Sequence, residues 1–299
     1  MNDLILFGAG ASFGSEPSGM PPLGAGLFEA LRQFNPGGWG KIVDPLSKMF
    51  RADFEVGMVE LSKIQPHALP PLQRAMAEFF FRFEPADQSL YVELAQRILA
   101  KSWTGAVATL NYERLLELAL LRVGIDMVFD KTPDSKAQIE LCLPHGCCHL
   151  FCEGAKGLAS AMSFAGMNVT TNGPVISIAE ANTFLRRIHT DAFPPVMSYF
   201  EPQKRTTAGA SLIASQRQRF GQLCANAARI ALVGIHPRQH DSHIWGPLQT
   251  SKAKLIYCGG HAGASAFKSW CKSIKRTGDV ILPGYFASEF DNLCASIGL

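Results

Sequence analysis

No run of apolar residues in this sequence approaches the length needed to cross a bilayer, so a membrane-spanning helix is not expected. Charge is equally sparse: the formal net charge is +3 over 299 residues, and like charges gather only in short groups such as Lys204-Arg205 and Lys272 to Arg276. Such groups are solvated faces, and the balance excludes a chain built around nucleic-acid or membrane binding. Internal repeats and low-complexity tracts are missing too. The four apolar residues after Asp3 lack the polar, cleavage-like region of a secretory signal, so a cytoplasmic protein is expected. A second CxxC-like pair, which a structural zinc ribbon normally needs, is also absent. The eight cysteines therefore divide into a crowded set, Cys142, Cys147, Cys148 and Cys152, and four on apolar segments, Cys224, Cys258, Cys271 and Cys294. In a reducing compartment the second four read as small core hydrophobes.

What is present is ordinary globular composition, with 47% hydrophobic and 18% charged residues, enough for a sizeable core. Short β-rich runs alternate with segments of helical period, the pattern of an open parallel sheet covered by helices on both faces. The expected strands are Leu4 to Phe7, Gly105 to Leu110, Asp126 to Phe129, Ile139 to Leu143, Ile230 to Ile235, Lys254 to Cys258 and Val280 to Leu282. Most are continuous apolar runs, as strands buried on both faces should be. Phe267, Trp270, Cys271 and Ile274 repeat at helical spacing, as do Phe290, Leu293, Cys294 and Ile297. The stripe Met76, Phe79, Phe80 and Phe83 is packing by the same reasoning, with no chemistry attached. One domain over 1–299 is expected, with a helical insertion over 40–100 that includes Pro71 to Phe83 and Ala86 to Ala100 and forms a small lobe. The region Glu153 to Thr207 lacks periodicity and reads as a functional loop, lid or partner surface.

The segments with chemical potential sit at the carboxyl ends of the expected strands, where an open parallel sheet presents its ligand crevice. Leu4 to Phe7 runs into Gly8-Ala9-Gly10-Ala11-Ser12, a turn whose small residues let backbone N–H groups approach phosphates, although such turns also occur for packing. Thr109-Leu110-Asn111-Tyr112-Glu113 precedes the leucine-rich helix Arg114 to Val123. Asn111 could hold a sugar hydroxyl or a water there, or cap the helix. Pro144-His145-Gly146 offers an imidazole with room to meet a substrate. After Val233-Gly234-Ile235-His236, Asp241 could accept a ribose hydroxyl or fix its loop. His236, His240, Asp241 and His243 fit no familiar metal-ligand spacing. In the tract from His145 to Cys152, strand alternation would set Cys147 and His149 on one face and Cys148 and Leu150 on the other.

Taken in order, GAGAS with Gly19-Met20-Pro21, then TLNYE, then HG, then VGIHPRQHD, this chain resembles the sirtuin-like family over nearly its whole length. It is most similar to the bacterial NAD-hydrolysing branch found in anti-phage defence systems, and Asp53-Phe54-Glu55 fits a signature of that branch. The resemblance implies a Rossmann-like sheet with Gly8, Ala9, Gly10 and Ser12 around the NAD diphosphate and inner ribose, Gly234 and Asp241 in the later ribose-contacting segment, and Asn111 with His145 as the catalytic pair. NAD would be the substrate and no metal is expected. Pro21-Pro22-Leu23 stands where deacylating sirtuins carry Pro-Asp-Phe-Arg, and the thiols lack the spacing of their four-cysteine zinc module. Glu113 stands where the family has aspartate. The first two departures favour NAD hydrolysis to nicotinamide and ADP-ribose over a protein deacylase or ADP-ribosyltransferase, and a non-catalytic NAD or ADP-ribose binding module is the further alternative. A hydride-transfer dehydrogenase fits less well, because Gly14 comes one place late and the second strand follows a long insertion. Control by self-assembly or by a regulatory partner protein is expected, with no direct nucleic-acid or membrane binding.

Overall fold

The computed structural model describes residues 3–17, 19–154, 171–198, 206–238 and 241–299. Seven parallel strands form its sheet: β1 (Leu4–Phe7), β2 (Ala106–Thr109), β3 (Asp126–Val128), β4 (Gln138–Cys142), β7 (Arg229–Val233), β8 (Lys254–Cys258) and β9 (Val280–Leu282). They follow the order β3-β4-β2-β1-β7-β8-β9. All seven coincide with the strands expected from apolar runs, to within two residues at each end. With the edge strand β3 set aside, the remaining six run 3-2-1-4-5-6, the Rossmann order. The chain reverses its direction of travel across the sheet between β1 and β7, which opens a crevice beyond their carboxyl ends.

Strand alternation divides the core. Leu4 and Leu6 face one side with Ile230, Leu232, Leu255 and Tyr257, where α9 (Ala210–Asn226), α10 (Ser242–Thr250) and α11 (Gly260–Ser273) deliver Phe220, Trp245 and Phe267. Ile5 and Phe7 face the other with Val107, Leu141 and Val233. There α2 (Ala25–Phe34), α3 (Leu46–Ala52), α4 (Phe54–Ile64), α5 (Leu69–Phe81), α6 (Leu90–Lys101), α7 (Leu115–Arg122) and α12 (Phe286–Ser296) supply the cover. The chain between β1 and β2 contains helices only, beginning with the short α1 (Ala9–Ser12). Within it, α2, α3 and α5 pack on one another, while α6 lies against α7 and α12. Of the aromatic stripe on α5, Met76 and Phe80 are buried, and Phe79 and Phe83 pack against the core partly covered. Cys224, Cys258 and Cys294 are buried as expected, whereas Cys271 is only half-buried.

Two expectations from periodicity need correction. Cys147 to His149 do not lie in a strand; they form a turn, and β5 begins at Leu150 (Leu150–Cys152), pairing antiparallel with β6 (Val175–Ser177) in a separate sheet. Gly146 explains the turn: its φ is +75°, and a Cβ there would lie 2.0 Å from the Val196 carbonyl oxygen. The stretch from Glu153 to Thr207 is not wholly irregular either, since α8 (Ala181–Thr190) lies within it, capped by the Glu180 carboxylate accepting from the Asn182 and Thr183 N–H groups. The rest of that stretch over 155–170 and 199–205, including Lys204-Arg205, lies outside the described residues, as does His240. Among the described residues no helix is long and apolar enough to cross a membrane.

Candidate functional site

A cavity of about 510 Å³ occupies the crevice at the carboxyl ends of β1, β2, β4 and β7. Its size is within the range of about 300–1,000 Å³ for small-molecule sites. Gly8, Ala9, Gly10, Ser12, Asn111, His145, Gly234 and Asp241 all line it. Phe80 and Tyr285 add aromatic walls, and Glu113 sits beside Asn111.

The glycines serve first to bring two turns into contact. The Gly8 N–H donates to the Val233 carbonyl at 2.9 Å, the Gly10 N–H to the Gly234 carbonyl at 3.0 Å, and the Gly234 N–H to the Cys258 carbonyl at 2.8 Å. A Cβ on Gly8 or Gly10 would stand 2.9 Å from the Gly234 oxygen. The N–H groups of Gly8 and Gly10 are thus engaged by β7 and its turn, and both residues line the cavity floor.

Asn111 does not cap a helix. Arg114 occupies the cap position of α7 without a side-chain bond, and the Glu113 carboxylate accepts from the Leu115 N–H at 2.8 Å. The Asn111 amide nitrogen donates to the Ser12 hydroxyl at 2.9 Å and to the Gly8 carbonyl at 3.3 Å, which assigns the orientation of the amide and leaves Oδ1 as its acceptor. Ser12 in turn donates to Glu113 at 2.5 Å and lies 3.0 Å from the Tyr91 hydroxyl. Burial pushes the Glu113 carboxyl up, and its bonds to Ser12, Leu115 and Asn111 oppose that rise. Ser12, expected beside the dinucleotide, thus spends its hydroxyl on holding the asparagine.

His145 is buried at the cavity wall, its ring stacked on Tyr112. Its Nε2 lies 2.8 Å from Nε2 of His243 on α10. The backbone around it is clasped by residues 196–198: the Ser198 N–H donates to the His145 carbonyl at 2.8 Å and the Cys147 N–H to the Val196 carbonyl at 3.0 Å. Three other elements grip the same residues. The Tyr112 hydroxyl donates to the Ser198 carbonyl, Gln73 on α5 to the Met197 carbonyl, and Arg217 on α9 to the Ser198 hydroxyl. Across the cavity mouth, Arg238 pairs with Glu55 at 2.7 Å, next to Asp53, which caps α4. In the sequence Arg238 appeared only within the VGIHPRQHD run and His243 only in a histidine group set aside as a metal cluster, so neither pairing was visible; Glu55 was visible within the Asp53-Phe54-Glu55 signature, but its partner was not.

Behind the His145 turn, Cys147, Cys148 and His149 bring three metal-capable atoms within 4.8 Å of one another, the one such group among the described residues. They do not fit the four-cysteine zinc module of the deacylases. Only three donors gather, all from consecutive residues, and the Cys152 thiol is turned to the Thr171 and Gly173 carbonyls. The atoms instead form a hydrogen-bonded chain, with Cys147 Sγ 3.2 Å from the Tyr112 carbonyl, His149 Nδ1 3.1 Å from Cys147 Sγ, and His149 Nε2 3.2 Å from Glu117. Burial pushes the Glu117 carboxyl up to about 8 and holds His149 down at about 3, so this is a neutral contact rather than an ion pair.

That chain predicts a pH signature. Glu117, ordinarily near 4.5, contributes stability that is complete below that value and is lost as pH rises towards 8. His149, ordinarily near 6.5, contributes stability that is lost as pH falls from there towards 3. The two oppose each other between about 4.5 and 6.5, and above 6.5 only Glu117 acts. The melting temperature of the protein should therefore fall between pH 6.5 and 8, and Glu117→Gln should flatten that slope. An unchanged slope in the variant would show that the carboxyl is not held neutral.

No protein-family model matches the chain, and no curated protein sequence matches it. Among solved structures, a serine-to-alanine mutant of a Sir2 homologue in complex with ADP-ribose aligns with a TM-score of 0.50 at 13% identity, covering 99% of this chain and 92% of that one. A histidine-to-asparagine mutant of a Sir2 homologue, also in complex with ADP-ribose, gives 0.51 at 13% identity with the same coverage. The fold is sirtuin-like. Within that fold, the crevice between β1 and β7 is where the eight candidate residues converge.

Proposed function

We propose that this chain binds NAD along the crevice and hydrolyses it to nicotinamide and ADP-ribose. The observation that carries the reading is the convergence of Gly8, Ala9, Gly10, Ser12, Asn111, His145, Gly234 and Asp241 on one cavity at the sheet's switch point. The ADP-ribose complexes named for the structural neighbours support a ligand of that class.

The chemistry asks little of an acid. Nicotinamide leaves from a cationic ring nitrogen as a neutral molecule, so the work lies in stabilising the ribosyl cation and delivering water. Asn111, its amide nitrogen engaged by Ser12 and Gly8, offers Oδ1 to a ribose hydroxyl or the attacking water. His145 takes the proton from that hydroxyl or water, and no metal enters the reaction. Contacts along the rest of the dinucleotide direct binding energy to the reacting carbon.

We place the activity in a bacterial anti-phage defence system, as an effector that depletes NAD and is held silent by self-assembly or by a partner protein. Incubating the purified protein with NAD, alone and with candidate partners, and identifying products by mass should show nicotinamide and ADP-ribose in equal amounts. Acetyl-lysine peptide should not stimulate the release. Stimulation by the peptide, with transfer of its acetyl group, would replace this reading by deacylation.

A further inference from the structure

We infer that His243 is the positioning residue for His145, fixing the tautomer and orientation of its ring. The inference rests on the proposed NAD reaction for its kinetic consequences, but the pairing itself is a property of the resting protein. The two Nε2 atoms are 2.8 Å apart, with ring centroids at 5.0 Å and planes inclined at 48°. A contact that short between two imidazole nitrogens has room for one proton: one ring carries Nε2–H and the other presents its Nε2 lone pair. Whichever ring holds that proton, the tautomer of the second ring follows.

The partner is well anchored. His243 is the second residue of α10, and the neighbouring Ile244, Trp245 and Leu248 are buried in the core on that face of the sheet. The amino-terminal end of a helix favours neutral over cationic side chains, which suits a ring that must offer a lone pair. His145 lines the cavity and His243 is not among its lining residues, so the second ring acts through the first. With His243 accepting from Nε2–H, Nδ1 is the nitrogen of His145 that can take up a substrate proton. When His145 takes that proton at Nδ1 it becomes a cation whose Nε2–H remains bound to His243.

The test combines nitrogen NMR of histidine-labelled protein with steady-state kinetics on wild type, His243→Ala and His243→Gln. The expected wild-type spectrum shows His145 as the Nε2–H tautomer paired to a His243 of the opposite tautomer. His243→Ala should disturb the His145 signals and lower kcat by about 10- to 100-fold, the loss seen when a group orienting a functional imidazole is removed. KM for NAD should change less than about threefold. His243→Gln, which restores an acceptor, should recover part of kcat, and it serves if the alanine variant fails to fold. His145 signals unchanged in the variants, or an unchanged kcat, would overturn the inference. Paired signals in a wild type that releases no nicotinamide either alone or with candidate partners would uphold the tautomer lock and refute the NAD reaction.

Discussion

Replacing His145 by alanine is expected to lower nicotinamide release from NAD by about 10²- to 10⁴-fold, the contribution of a positioned general base. The loss should appear in kcat, with the protein still folded and still binding ADP-ribose. The reason is local. The backbone of His145 is clasped by Val196 and Ser198 through carbonyl and N–H groups that alanine keeps, so removing the imidazole leaves the turn in place. Asn111→Ala should be of similar size. It removes an amide that Ser12 and Gly8 hold from one side only, and a positioned polar group of this kind contributes about 10²–10³ in rate. Near-wild-type turnover by both variants, measured by product mass under saturating NAD, would remove the mechanism.

Gly234→Ala should have the largest effect on the folded state itself. Gly234 has φ +65°, and a Cβ there would lie 2.0 Å from the Ala11 nitrogen and 2.3 Å from the Gly10 carbonyl carbon. Both are backbone atoms of the opposing turn, so no side chain can swing away. Left-handed backbone costs a non-glycine residue about 1–2 kcal/mol, and forcing atoms into packed space about 1–3 kcal/mol more. A drop in melting temperature of roughly 5–15 °C follows. ADP-ribose binding should fail along with it, because the turns carrying Gly8 and Gly10 would be pushed off β7. A variant that melts within a degree of wild type would show that the two turns yield more readily than their spacing indicates.

The centre of the sheet was readable because its strands are buried on both faces. Ile230 to Val233 and Leu4 to Phe7 are unbroken apolar runs, and nothing but a central strand accommodates them. The helix α8 escaped because its stripe is thin: Phe184 and Ile188 are its buried residues, in a segment otherwise polar and flanked by prolines. The turn at Cys147 was misread as strand because periodicity carries no sign of the left-handed glycine before it. The candidate residues were found by their position after strands, a rule of topology. Their hydrogen-bond partners were not, since Ser12 reaches Glu113 across 101 residues and His145 reaches His243 across 98. Such pairings depend on how loops fold over the sheet edge, which no local pattern encodes. The same limit left both readings of Gly8 and Gly10 open: the sequence marks where a Cβ is excluded, but not whether a ligand or a neighbouring turn excludes it.

Residues 196–198 impose a last constraint. They hold the His145 carbonyl directly and the Tyr112 hydroxyl from the other side, while Gln73 reaches them from α5. The asparagine turn and the histidine turn therefore hang from one short crossbar, and neither can drift without tugging its companion. A push on α5 at Gln73 would reach both at once through a single side-chain amide. Alignment of Asn111 and His145 is thus a shared mechanical property of the interior, set by three residues that do not themselves line the pocket.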